Sequence, residues 1–241
     1  MSATKGERIL RYQDLYKRYS RLGLTAASDR LYAINGLQSR LLKAFDTEGG
    51  FGIFDEGPDP KRGHLRRSLL WHRGDDVARM DRITFPARTS VAVPSWSWMA
   101  YTGGINYLDL DFTQVHRWMD LRSPWTRHSW RHAPTSEPMP PLPGGALALG
   151  GVAQDFDLAS IVEAAKEEDN LIFDRPEEVH TAGLKCVVLG AKEGHVPRGA
   201  RRCFVLVIAP ADQLGKTWFR VGVGYLPERY VRSEKTDVVI C

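Results

Sequence analysis

Apolar side chains from residue 7 to 19 recur at spacings of three and four, with Ile9, Tyr12, Leu15, Tyr16 and Tyr19 on one side and Arg, Lys and Asp opposite. That period predicts an amphipathic helix, which Gly23 ends. A second helical face runs through Leu31, Ile34, Leu37, Leu41 and Phe45; Thr25 or Ser28 can cap it and Gly49-Gly50 closes it. After a loop over 55–63, residues 65–73 predict a short helix or strand ending in Leu69-Leu70-Trp71-His72. Strand-like runs follow at 82–85, 90–101 and 104–112, with Pro86 and Pro94 at edges or turns. Beyond a stretch at 134–145 with five prolines and two glycines, the pattern is strongly β: 146–152, 171–173, 184–189, 203–208, 218–225 and 238–240, with one helix over 158–167. The runs at 184–189 and 203–208 read as neighbouring antiparallel strands. In 218–225 one face carries Phe219, Val221, Val223 and Tyr225, and on the other Gly222 and Gly224 leave room for a chain segment or a ligand to approach.

These elements predict an α+β fold in which N-terminal helices pack on a mixed, largely antiparallel sheet or barrel-like core. A single domain over residues 1–241 is expected, with 134–145 as the candidate internal boundary. The pattern centres on Pro94-Ser95-Trp96-Ser97-Trp98-Met99-Ala100, where strand alternation would put Trp96 and Trp98 on one face and Ser95 and Ser97 on the other, in a sheet shared with 218–225. An indole pair of this kind sits where a core meets a second layer, a pocket wall or an interface.

The Pro-Ser-Trp-Ser-Trp block also resembles the region that follows the HET (heterokaryon incompatibility) domain in large fungal proteins. Tyr19-Ser20, Leu24-Thr25 and Asp29-Arg30-Leu31-Tyr32-Ala33-Ile34 are similar to the segment preceding that block, Leu69-Leu70-Trp71-His72-Arg73 to its Leu-Leu-Trp element, and Arg220-Val221-Gly222-Val223-Gly224 to a late hydrophobic strand. The sequence departs at Gly52-Ile53-Phe54, where the family usually has Gly-Leu-Trp, and at Met99, where a small residue is usual. The HET domain itself, which resembles the TIR fold and is linked to cell death, would lie before residue 1, so its function is not carried over.

Composition narrows the classes. A formal charge of +4 is spread along the chain among acids, which disfavours nucleic acid as a partner. Three cysteines, Cys186, Cys203 and Cys241, form neither an even disulfide framework nor a paired metal motif, so reduced thiols and a cytoplasmic location are expected. The polar N-terminus and the lack of a long apolar run predict no membrane span. Nucleotide, Rossmann and nucleophile-elbow fingerprints are absent, so no cofactor is expected.

The chemical candidates are weaker signals. His116, His128 and His132 lie in a tryptophan- and arginine-rich segment too irregular for a zinc-binding helix face, and no metal is expected. Asp109 and Asp111 read as solvated strand-edge acids. His72, following Trp71 at the end of an apolar run, is the first candidate for acid, base or donor, against the ordinary reading of a core histidine bonded to a backbone carbonyl. Tyr101 and Tyr107, flanking Gly103-Gly104, come next. Trp71, Trp96, Trp98 and Trp118 are the candidate pocket walls, and Arg30 a candidate ligand contact more readily read as structural.

Two functions fit. One is a cofactor-independent cyclase or isomerase of fungal secondary metabolism, pericyclic chemistry included, acting on an apolar terpenoid or polyketide in an aromatic pocket. The other is a HET-related module of nonself recognition whose aromatics face a protein partner. A concave site favours the first and a flat one the second.

Overall fold

A computed structural model describes residues 4–57, 63–86, 92–110, 116–119, 121–125, 146–163, 171–178, 183–194, 197, 199–212 and 215–241. The segment 126–145, with His128, His132 and the proline-rich stretch, lies outside them, as does Asp111.

Two N-terminal helices form as the periodicity requires. Helix α1, Lys5–Ser20, opens on a capping box in which Thr4 and Glu7 satisfy each other's backbone amides, and it buries Ile9, Tyr12 and Tyr16. Helix α2, Arg30–Phe45, ends at Asp46 in the left-handed region. A hairpin of β1, Glu48–Gly50, and β2, Ile53–Asp55, leads to the one-and-a-half-turn helix α3, His64–Leu69. Strand β3, Trp71–Arg73, pairs antiparallel with β4, Ile105–Tyr107.

The larger sheet comprises β5 (His116–Trp118), β6 (Leu149–Phe156), β7 (Leu171–Phe173), β8 (Lys185–Lys192), β9 (Arg202–Pro210), β10 (Thr217–Pro227) and β11 (Val231–Ile240), with the short helix α4, Leu158–Glu163, after β6. The order β11-β6-β8-β9-β10 runs antiparallel, and a parallel pairing of Thr217 and Trp218 with Val239 and Ile240 closes these five strands into a barrel. Strand β5 adds to β8 and β7 adds to β10. The fold is therefore α+β with a closed mixed barrel.

Three apolar cores follow from this arrangement. Alternate residues of all five barrel strands, from Leu149 on β6 to Ile240 on β11, converge with Trp96, Trp118 and α3 in one core. A second joins α1 and α2 to Phe54, Trp71, Trp98 and Tyr107. The third covers the other face of β8 and β9 with Cys186, Cys203 and Ile161 of α4.

The tryptophan block corrects one expectation. Residues 95–100 form no strand: a turn at Ser95–Ser97 leads into a 3-10 turn, Trp98–Ala100. Trp96 and Trp98 both have 0% exposure, as expected for buried indoles, but they fill different cores and share no face. Ser97 causes the turn, since its hydroxyl accepts from the Met99 amide at 3.1 Å and donates to the Phe51 carbonyl at 2.7 Å.

Candidate functional site

Strand β10 changes its edge partner midway. Thr217 and Trp218 pair with β11, whereas Gly222, Val223 and Gly224 pair with β7. Gly222 permits the close approach, because a Cβ there would lie 2.6 Å from the Ile172 carbonyl oxygen. At the fork stands Arg220, with its side chain fully buried. Its guanidinium makes a bidentate pair with Asp174, at 3.0 and 3.1 Å, and donates to the carbonyls of Leu69 and Trp71. It also lies over the Trp71 ring, 3.2 Å from its centre. Four of the five guanidinium N–H groups are thus matched and the cationic face is stacked, close to the condition under which such a pair is tolerated in a core.

Beside this pair opens a cleft of about 730 Å3. Arg82, Tyr101, Asp174, Arg175, Glu177 and Glu178 make its polar side. The apolar side is Leu184, Ala209, Pro210, Phe219 and Val221. An antiparallel bridge between Arg82 and Tyr101 holds both at the rim. Burial, reinforced by the nearby Asp174 carboxylate, pushes the Tyr101 phenol far above its ordinary value. Tyr101, like any tyrosine, carries its proton near neutral pH, and its burial keeps it neutral well into alkali.

Of the residues predicted from the sequence, Tyr101 lines this cleft and the others stand elsewhere. His72 is not in the lining; it is 8% exposed, and its Nδ1 lies 2.7 Å from the Arg73 carbonyl. Burial lowers its pKa from the usual 6.5, so it is a neutral core imidazole. Trp71, Trp96 and Trp98 have 0% exposure and offer no wall to a ligand, which corrects the expected aromatic pocket. Their space is taken by packing: Trp98 lies against Tyr16 and over Gly52, and Trp96 meets Phe51 and Trp125 edge-on. Trp118 packs on Phe204 beneath the Arg67 guanidinium. Tyr107 belongs to the α1 core with Tyr12, their rings 6.2 Å apart. Arg30 is a buried clamp that donates to the carbonyls of Ser20, Tyr101 and Gly103, and burial lowers its pKa to about 10.

Among the described residues no group of three or more His, Cys, Asp or Glu side chains is placed to hold a metal ion. The side chains of the His116, His128 and His132 set lie outside them. Cys186 and Cys203 are free and buried, and burial pushes their thiols up to about 12 and about 11. No helix among the described residues is long and apolar enough to cross a membrane.

Arg82, Asp174, Arg175 and Arg220 carried no motif. The sequence signals for Arg220 were an arginine alternating with glycines inside an apolar strand and the resemblance of Arg220-Val221-Gly222-Val223-Gly224 to a late strand of the HET-associated region, and neither pointed to a buried ion pair. Comparison with known proteins adds no relative: no family model matches the chain, and no curated protein or solved structure matches it. The resemblance to the HET-associated region rests on the residues quoted for it alone.

Proposed function

We propose that the chain is a cofactor-independent enzyme of the cyclase or isomerase type whose reaction chamber is the Tyr101 cleft. The observation that carries this reading is a phenol in the lining of a concavity with one apolar wall, set beside a buried Asp174–Arg220 pair. The size is that of a small-molecule site. Such a cleft would fold a flexible terpenoid- or polyketide-like substrate along Leu184, Pro210 and Phe219, and holding it near its reactive shape lowers the entropic part of the barrier. Tyr101 would donate to an oxygen on which charge builds in the transition state, an effect worth roughly 10²–10³ in turnover for one well-placed donor. The reaction class conserves mass and oxidation state, so it asks the protein for shape and one donor. A HET-related binding module is the competing reading. It calls for an exposed apolar face, whereas among the described residues the exposed large apolar side chains, Leu10, Leu22, Tyr32 and Val152, are dispersed over α1, the turn after it, α2 and β6.

The test is mass-spectrometric. A panel of linear polyenes bearing a carbonyl is incubated with the protein and scanned for products of unchanged mass, in the wild type and in Tyr101→Phe. An isomer formed by the wild type and slowed about 100-fold in the variant, at unchanged melting temperature, supports the reading. Full turnover by Tyr101→Phe overturns it.

A further inference from the structure

The lining of the cleft is asymmetric in what it leaves unmatched. Each acid there already has a guanidinium: Asp174 has Arg220, Glu178 has Arg175 at 2.6 Å, and Glu177 has Arg79 at 3.4 Å. Arg175 also reaches Asp81 at 3.1 Å. What remains among the described residues is a set of donors. The Nε of Arg175 is buried with no partner, an arrangement that native proteins avoid unless something else supplies the acceptor. The exposed Arg82 side chain has no ion pair or hydrogen bond, and the Tyr101 hydroxyl has no hydrogen-bond partner. Each carboxylate of the lining already faces a guanidinium, and none of them faces these donors.

We propose that the molecule taken by this cleft is an amphipathic carboxylate, with its head on Arg82, Arg175 Nε and Tyr101 and its apolar chain along Leu184, Pro210 and Phe219. This rests on the cleft being the ligand site, as in the function proposed above. A planar carboxylate matches the fork of a guanidinium and accepts from several donors at once. Among the described residues Arg82 is the one guanidinium of the lining without a carboxylate partner, which suits a single negative charge; a dianionic phosphate head would carry a second into a lining that already holds Asp174, Glu177 and Glu178.

Three probes of equal chain length separate the possibilities: decanoate, decan-1-ol and decyl phosphate, each titrated into the full chain and followed by amide chemical shifts. Decanoate should move the amides of Tyr101, Leu184 and Val221 and bind about tenfold more tightly than decan-1-ol, a factor in the range of one charge-assisted contact. Arg82→Gln, at an exposed side chain with no partner to lose, should cancel that advantage and leave decan-1-ol binding unchanged. Equal binding of decanoate and decan-1-ol, tighter binding of decyl phosphate, or an Arg82→Gln variant that keeps the decanoate preference would each overturn the carboxylate head while leaving the cleft as a site. If none of the probes moves those amides, the cleft reading itself fails.

Discussion

Arg220 shows how one residue can be costly and still belong. Its charge is buried with that of Asp174, 46 positions away, and the pair is tolerated because four of its five N–H groups are matched and its face stacks on Trp71. Arg220→Met should then cost about 3–5 kcal/mol in urea denaturation, since it strands the Asp174 carboxylate. Arg220→Met combined with Asp174→Leu should regain most of that loss. A double variant as unstable as the single one would mean that the Trp71 stack and the Leu69 and Trp71 carbonyls, not the stranded carboxylate, dominate. At this scale the sequence was partly legible. Tyr101 stood out beside a glycine turn, but an arginine among strand residues reads as an outward-facing side chain, and nothing local reveals a partner so far along the chain. The opposite error arose at Trp71, Trp96 and Trp98: indoles that could have walled a pocket are consumed by packing, and composition does not distinguish the two uses.

Among the elements, β7 matters more than its three residues suggest, because Asp174 and Arg175 follow it directly and its seating on β10 places both. Gly222 sets that seating. Gly222→Ala would put a Cβ 2.6 Å from the Ile172 carbonyl and 3.1 Å from the Phe173 Cα, so β7 must move off. The expected loss is about 1–3 kcal/mol in stability, with shifts in the Asp174 and Arg175 amides that exceed those in β8. A variant with unaltered Asp174 and Arg175 resonances would detach the cleft from β7. The empty faces of Gly222 and Gly224 announced this approach in the sequence. The block at 95–100 misled, because alternating Trp and Ser satisfies the strand period while the Ser97 hydroxyl caps a turn two residues on.

For the whole molecule, buried titratable groups make stability depend on pH. His72 has a folded pKa held below 6.5 by burial, partly offset by the backbone at Arg73 and Tyr107. The unfolded chain therefore takes up a proton near 6.5 that the folded one refuses, and stability falls as pH drops below that value, by up to about 1.4 kcal/mol per unit. Glu56 acts with the opposite sign: its pKa is raised from 4.5 by burial, so its contribution is present in acid and fades as pH rises above that value. His72→Asn, which keeps a donor near Nδ1, should flatten the loss between about pH 7 and pH 5 relative to the wild type. Parallel curves of melting temperature against pH for the two proteins would remove His72 from this account.

The α+β class was legible at this scale because helical and strand periods are local signals. A barrel-like core was expected as an alternative to an open sheet, but the seam that closes it was not legible, since it depends on Thr217 and Trp218 meeting Val239 and Ile240, a pairing that no periodicity encodes. At that seam the block that resembles the HET-associated region finds its structural use. The Ser95 amide donates to the Cys241 carbonyl at 2.9 Å, and the Ser95 hydroxyl both donates to that carbonyl and accepts from the Arg220 amide at 3.0 Å. One fully buried hydroxyl thus joins β10 to the end of β11 just where β10 passes from β11 to β7. Ser95→Ala removes it with little change in volume and leaves the buried Arg220 N–H without an acceptor. The expected cost is about 1–3 kcal/mol, the penalty for an unmet buried donor, together with faster hydrogen exchange at the Arg220 amide. If stability stays within about 0.5 kcal/mol and the Arg220 amide exchanges as before, the seam is held by the strand pairing alone and Ser95 is only a turn residue.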